Sequence, residues 1–164
     1  MAHRAALALT IAALLWAGVL VAAPVAVSRS TLALPATLAY DVSSRICHQR
    51  PERSFHLAGV QLPVCARCFG LYACAALGAV MAWSTARRPP ATTSRVLLGL
   101  AAVPTALTWG LEFAGLAAFS NVSRALASLP LGLAAGWLVV QMVRYDFPLN
   151  GHEIHDRGPS VRYR

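Results

Sequence analysis

The sequence predicts an all-α fold: a four-helix transmembrane bundle with a cysteine- and histidine-containing loop between helices 1 and 2. Of its 164 residues, 57% are hydrophobic and only 12% are charged, whereas soluble domains carry about 25% charged residues. Charges are almost absent from four long apolar runs, a pattern typical of segments solvated by lipid. The four cysteines all fall within Cys47–Cys74. We predict one transmembrane domain, residues 1–145, followed by an irregular polar tail, residues 146–164.

The first apolar run predicts a transmembrane helix over about residues 5–27. A helix of this length spans about 34 Å at about 1.5 Å per residue, enough for a hydrocarbon core of about 30 Å. A cleaved signal peptide is the alternative, with a weak cleavage site at Ala26-Val27-Ser28. Because the apolar cores of signal peptides are usually about 7–15 residues long, we favour an uncleaved helix.

The rest of the chain predicts one long loop and three further membrane helices. The loop, residues 28–63, includes Pro35–Ile46, whose apolar residues recur at helical spacing and indicate a short amphipathic helix. The second membrane helix should end before Pro89-Pro90, since proline cannot continue a helix. The predicted membrane helices cover about residues 64–86, 96–118 and 125–143.

Two features within these runs predict how the helices pack. The fourth run contains Gly132 and Gly136, a small-xxx-small spacing that lets a neighbouring helix approach closely. The third contains Glu112, the only acid in a predicted span. Ionisable residues at membrane depth usually face the bundle interior, and Arg67 and Arg124 are plausible partners. Glu112 could serve as a proton or ion site, or it could form a structural ion pair, and the sequence leaves both interpretations open.

The basic residues indicate membrane topology rather than nucleic-acid binding. The net charge is +8, and every basic residue is an arginine. The arginines lie beside the apolar runs, without a basic face studded with aromatic residues, so we expect the lipid bilayer as partner and no nucleic acid. More arginines fall on the side of the termini, which favours cytoplasmic termini in the plasma (inner) membrane.

The cysteines and nearby histidines predict a metal site. Zinc favours four ligands in a tetrahedron, and three thiolates with one histidine form a common set. The candidate ligands are Cys47, His48, Cys65 and Cys68, with zinc as the expected cofactor. Because adjacent residues rarely point at the same ion, His56 is a substitute for His48, and water could complete an open site.

Two other interpretations use the same residues. In a membrane thiol-disulfide oxidoreductase, Cys65 and Cys68 would cycle as a dithiol, since a helix N-terminus stabilises a thiolate. In a structural scaffold Cys47 would form a static disulfide, or the cysteines would stay reduced without chemistry. Cys74 lies on a different part of the helix surface and is not expected to share the site. The pattern does not assign catalytic residues, and whether the protein is an enzyme stays open.

Four residues near the cysteines are expected to support the site. Arg50, Arg53 and Arg67 could bind lipid phosphates or an anionic substrate, because a guanidinium pairs well with phosphate. They could instead bond loop carbonyls and Glu52. Tyr72 lies on the cysteine face of the second membrane helix, where it could pack beneath the cluster.

Three neighbouring segments carry a specific motif: Cys47-His48-Gln49, Pro51-Glu52-Arg53-Ser54-Phe55 and Leu62-Pro63-Val64-Cys65-Ala66-Arg67-Cys68. The motif resembles the domain-of-unknown-function 2085 family of small bacterial membrane proteins. The resemblance extends to Asn121 and Arg124, similar to that family's later Asn-x-x-Arg. The family often has an acid before the glycine of its third helix. Here Thr108-Trp109-Gly110 lacks that acid, and Glu112 is the candidate to replace it. The resemblance implies no established activity.

Overall fold

The computed structural model describes residues 1–27, 29, 32–86 and 89–146, and within them the chain forms five α-helices and one two-stranded sheet. α2 overlaps most of the short helix predicted in the first loop. The predicted polar tail lies, apart from Asp146, outside the described residues. The elements, in chain order, are α1 (Ala2–Ala26), α2 (Ala33–Ser44), β1 (Ser54–Leu57), β2 (Val60–Cys65), α3 (Ala66–Met81), α4 (Ala91–Phe113) and α5 (Asn121–Asp146).

Three of the described helices suit a membrane crossing by length and composition. They are α1, α4 and α5, whose apolar windows have mean hydropathies of 2.4, 1.5 and 1.7. α3 has only 16 residues and is about 24 Å long at about 1.5 Å per residue, which is less than a hydrocarbon core of about 30 Å. The mainly helical prediction is therefore confirmed, whereas three membrane spans, not four, are supported.

The most extensive helix interface joins α3 and α5, and glycines allow it. A Cβ placed on Gly132 would overlap the backbone carbonyl of Leu71, and one on Gly136 would overlap that of Ala75. Gly78 of α3 faces the α5 backbone equally closely. The close approach predicted from the Gly132 and Gly136 spacing is confirmed.

The prediction of an all-α fold is wrong for residues 54–65, which form an antiparallel hairpin. Ser54 pairs with Cys65, and Leu57 pairs with Val60. The two turn residues, Ala58 and Gly59, both have positive φ angles, +52° and +79°, as a two-residue hairpin turn of type I′ requires. Because β2 continues to Cys65, α3 begins at Ala66 rather than at residue 64.

Local capping explains why α4 ends at Phe113 rather than at residue 118, and why α5 begins at Asn121 rather than at residue 125. α4 ends in a Schellman motif, in which Gly115 has a φ of +70° and the Leu116 N–H donates to the Leu111 carbonyl at 2.9 Å. α5 begins at Asn121 because the Ser120 hydroxyl accepts a hydrogen bond from a backbone N–H of its first turn.

Candidate metal centre

Three cysteine thiols meet where the hairpin joins α3. The Sγ atoms of Cys47, Cys65 and Cys68 all lie within 4.8 Å of one another. Cys47 follows α2, Cys65 ends β2, and Cys68 lies in the first turn of α3. All three are free thiols. In a tetrahedral site with zinc–sulfur distances of about 2.3 Å, two sulfur atoms lie about 3.8 Å apart, so small side-chain adjustments suffice for one shared ion.

Backbone contacts hold Cys47 against the hairpin. Its Sγ accepts a hydrogen bond from the Cys65 N–H at 3.2 Å, and its own N–H donates to the Ser43 carbonyl at 2.9 Å. The residue is only 7% exposed and packs with buried Leu20 and Val64. The chain therefore buries this thiol beside the other two, although it lies far from them in sequence.

Aromatic side chains pack on the buried side of the thiol group. Trp16, Phe69 and Tyr72 pack against the buried group that includes Cys47. Trp16 and Tyr72 meet edge to face with ring centroids 6.2 Å apart, and Phe55 meets Phe69 in the same way at 5.9 Å. Tyr72 thus lies against the cluster, as its helical position suggested. An apolar shell of this kind limits solvent access to a bound ion and so affects its chemistry.

Among the described residues, no histidine or acid adds a further ligand atom to the group of three thiols. His48 is exposed and lies outside the group. His56 is exposed on β1, where it pairs with Gln61. The structure thus brings together three of the four ligands predicted from sequence.

Gln49 fastens the segment after Cys47 to its surroundings. Its amide nitrogen donates to the carbonyls of Tyr40 and Pro63, both at 2.8 Å. The backbone carbonyl of Gln49 accepts from the side-chain amide of Gln61 at 2.6 Å. The Tyr40 hydroxyl donates to the backbone carbonyl of Gln61 at 2.5 Å. Sequence reasoning did not select Gln49, and its position in the Cys-His-Gln motif was the only signal.

Ser54 and Asn121 connect the hairpin to the start of α5. Ser54 is 1% exposed; its hydroxyl donates to the Arg50 carbonyl at 2.8 Å and accepts from the Gln61 amide at 3.1 Å. Asn121 donates from its side chain to the Ser54 carbonyl at 3.0 Å. These contacts position β1, and sequence reasoning gave neither residue a role beyond membership of a motif.

A buried ion triad lies next to the cysteines and consists of Arg67, Glu112 and Arg124. Glu112 accepts from the Arg67 guanidinium at 3.0 Å and from Arg124 at 2.6 Å and 2.7 Å. The three side chains are 16%, 7% and 12% exposed, respectively. Arg124 also donates to the Asn121 side-chain oxygen at 2.8 Å. The triad joins α3, α4 and α5 and carries one net positive charge.

The two remaining supporting candidates lie on the surface. Arg50 is 60% exposed and its guanidinium lies 3.8 Å from the Glu52 carboxylate. Arg53 is exposed in the turn before β1. Cys74 is half-buried and lies outside the group of three thiols. Of the supporting residues, Arg67, Tyr72, Glu112 and Arg124 therefore adjoin the cluster.

The cluster favours a thiolate at Cys65. The pKa of the Cys65 thiol is lowered to about 5, chiefly by a hydrogen bond from the Cys68 side chain and with smaller effects from Cys47 and from backbone N–H groups at the start of α3, which together outweigh the opposing effect of burial. At neutral pH this sulfur is therefore deprotonated. The thiolate is the form that binds a metal ion and the form that attacks a disulfide.

Residues 47–138, more than half of the chain, match the family described as predicted membrane protein, domain of unknown function 2085. The chain belongs to this family. The matched region begins at Cys47 and includes all three clustered cysteines and the whole ion triad. It excludes α1 and α2 and covers the hairpin, α3, α4 and most of α5.

Two relatives of this domain-of-unknown-function 2085 chain are archaeal. An uncharacterized protein of Methanocaldococcus jannaschii is 50% identical over 42 residues, covering 26% of this chain and 27% of the relative. An uncharacterized protein of Methanothermobacter thermautotrophicus is 38% identical over 91 residues, covering 54% and 78%. The expectation of a bacterial family is therefore not supported. No solved structure matches the chain.

Proposed function

We propose that this membrane protein binds one zinc ion through Cys47, Cys65 and Cys68 at the membrane surface. The observation that carries the proposal is the meeting of the three Sγ atoms within 4.8 Å, from segments far apart in the chain. Thiolates are soft ligands that suit zinc, and zinc brings no redox chemistry of its own.

In this proposal the ion fastens the first loop to the helix bundle. Cys47 belongs to the loop, whereas Cys65 and Cys68 flank the start of α3, so one ion would connect them. Because zinc binds cysteine as the thiolate, binding releases thiol protons, and zinc affinity should rise with pH. The Gln49 hydrogen bonds hold the loop in the arrangement that the ion needs, as outer-shell contacts do at other metal sites.

The test is the zinc content and the thiol count of full-length protein purified in detergent without chelator. We expect one zinc per chain, with no disulfide among the clustered cysteines. Single Cys47→Ser, Cys65→Ser and Cys68→Ser variants should lose the zinc. Cys74→Ser is the matched control, because Cys74 lies outside the group, and it should retain the zinc.

A second candidate function is a thiol-disulfide oxidoreductase, which the lowered pKa of Cys65 favours. In that function the Cys65 thiolate and the Cys68 thiol form a disulfide, two electrons pass to an oxidised partner, and the one thiol proton is released. Metal-free protein with a reducible Cys65–Cys68 bond would support this function and reject zinc binding. Bound zinc with three reduced thiols would reject the oxidoreductase.

The proposal extends to the arrangement in the membrane. α3 packs between α1 and α5, and beyond its end the side chains of Trp137 and Gln141 bond to Thr85 and Ala82. We take α3 with its continuation as a fourth crossing in the plasma membrane, with cytoplasmic termini and the thiols at the outer face. A membrane-impermeant maleimide should label metal-stripped Cys65 in intact cells. Labelling only after lysis would show that the thiols face the cytoplasm and would reject this orientation.

A further inference from the structure

We propose that the zinc keeps an open fourth position, which takes the thiolate of an external thiol. This inference rests on the proposed zinc site and adds the chemical class of its ligand.

The number of protein ligands supports an open fourth position on the ion. Closed structural zinc sites have four protein ligands, whereas sites with three protein ligands keep a position for water or substrate. In residues 1–27, 29, 32–86 and 89–146 the ligand atoms that come together are three sulfurs. His48 and His56 are both exposed and outside the group. The described chain therefore does not complete a tetrahedron around an ion bound there.

The burial of the three thiols indicates the side from which a ligand arrives. Cys47 is 7% exposed and packs with Leu20 and Val64, both of which are fully buried. Cys65 and Cys68 are only half-buried. An external molecule thus has access to the ion past Cys65 and Cys68, whereas protein fills the side of Cys47.

Charge and softness identify the ligand as a thiol. Zinc with three thiolates carries one net negative charge, and the adjacent ion triad carries one net positive charge. The positive N-terminal end of α3 adds further compensation, so the site tolerates one more anionic sulfur. Sulfur matches the ligands already present. In the binding step a thiol displaces zinc-bound water, its sulfur bonds to the ion, and its proton leaves to solvent.

The experiment uses full-length protein in detergent, loaded anaerobically with Co²⁺ in place of Zn²⁺. Addition of 2-mercaptoethanol should shift the cobalt ligand-field bands and intensify the sulfur-to-cobalt charge-transfer band, saturating at one thiol per ion. Ethylene glycol, which has the same skeleton without the sulfur, should leave the spectrum unchanged. His48→Ala and His56→Ala should have the starting spectrum and the same response to the thiol.

The other outcomes separate this inference from the zinc proposal. If Co²⁺ and Zn²⁺ both fail to bind, the metal site itself is wrong. If cobalt binds but the thiol leaves the spectrum unchanged, the metal site stands and the thiol ligand is rejected. The same conclusion follows if the thiol removes cobalt from the protein, as measured in the filtrate after ultrafiltration. If either histidine variant changes the starting spectrum, a histidine closes the site and the open position is wrong.

Discussion

Glu112 faces two arginines in a largely buried environment, and neutralising it should destabilise the protein strongly. Its carboxylate is 7% exposed and accepts hydrogen bonds from Arg67 and Arg124. Glutamine keeps the size of the side chain but leaves two cations facing each other. Removing one partner of a buried ion pair costs about 3–5 kcal/mol. Because the arginines retain some solvent access, at 16% and 12%, we expect Glu112→Gln to lower the free energy of unfolding by about 3 kcal/mol.

The assay is denaturant unfolding of zinc-loaded protein in detergent, with zinc content measured on the same samples. Asp41→Asn is the matched control, because Asp41 pairs with Arg45 four residues away on α2, where the two side chains are 60% and 76% exposed. Loss of such a surface pair costs about 0.3–0.5 kcal/mol. Both variants should retain zinc, since neither carboxylate belongs to the thiol group.

A double variant tests the cause of the loss. In Glu112→Gln with Arg67→Gln, the second substitution removes one of the two cations that the first leaves without a counter-charge. The double variant should therefore be more stable than the sum of the two single effects predicts. The reasoning is refuted if Glu112→Gln costs no more than Asp41→Asn. Retained stability with lost zinc would place Glu112 in the chemistry of the site instead.

Three further predictions concern the packing, the thiolate and the hydrogen-bonded loop. Gly136→Ala should lower the free energy of unfolding by about 1–3 kcal/mol through overpacking. Gly99→Ala is the control and should not destabilise the protein, because its Cβ would meet nothing within 4 Å. Equal losses of stability in the two variants would contradict the close contact between α3 and α5. In metal-free protein the alkylation rate of Cys65 should rise as pH increases through about 5 and then level off; a midpoint near the value of free cysteine, about 8.5, would contradict the assigned thiolate. Gln49→Ala should weaken zinc binding by about 10–100-fold in competition with a chelator, and an unchanged affinity would remove Gln49 from the site.

The sequence predicted those features that depend on local pattern. The apolar runs identified α1, α4 and α5 because lipid-solvated helices need long uncharged segments. The glycine spacing identified the close face of α5, since small residues are what close helix approach requires. The hairpin was missed because β1 has only four residues and its turn, Ala58-Gly59, lacks the Asn-Gly or Asp-Gly sequence that usually marks a type I′ turn.

The framework around the thiols could not be predicted because it depends on contacts between distant residues. Gln49 and Ser54 are polar residues of the predicted first loop, and polar residues are commonly exposed. Here the Gln49 side chain bonds to the backbone of α2 and β2, and the Ser54 hydroxyl bonds to the Arg50 carbonyl and the Gln61 side chain. A sequence shows the donors that a loop offers, but not which buried carbonyls lack a partner once the chain folds. The family motif includes both residues near the cysteines, but it does not show which groups they bond to.

The ion triad and the thiol group should be considered as one electrostatic unit. Arg67 lies between Cys65 and Cys68 at the start of α3, and its guanidinium bonds to Glu112 of α4. A zinc ion bound by three thiolates would contribute one negative charge, and the triad contributes one positive charge, so the proposed site and the triad together would be neutral. Burying each alone would be costly. Glu112→Gln raises the positive charge beside the thiolates, so it should destabilise the helix contacts while zinc affinity stays equal or increases.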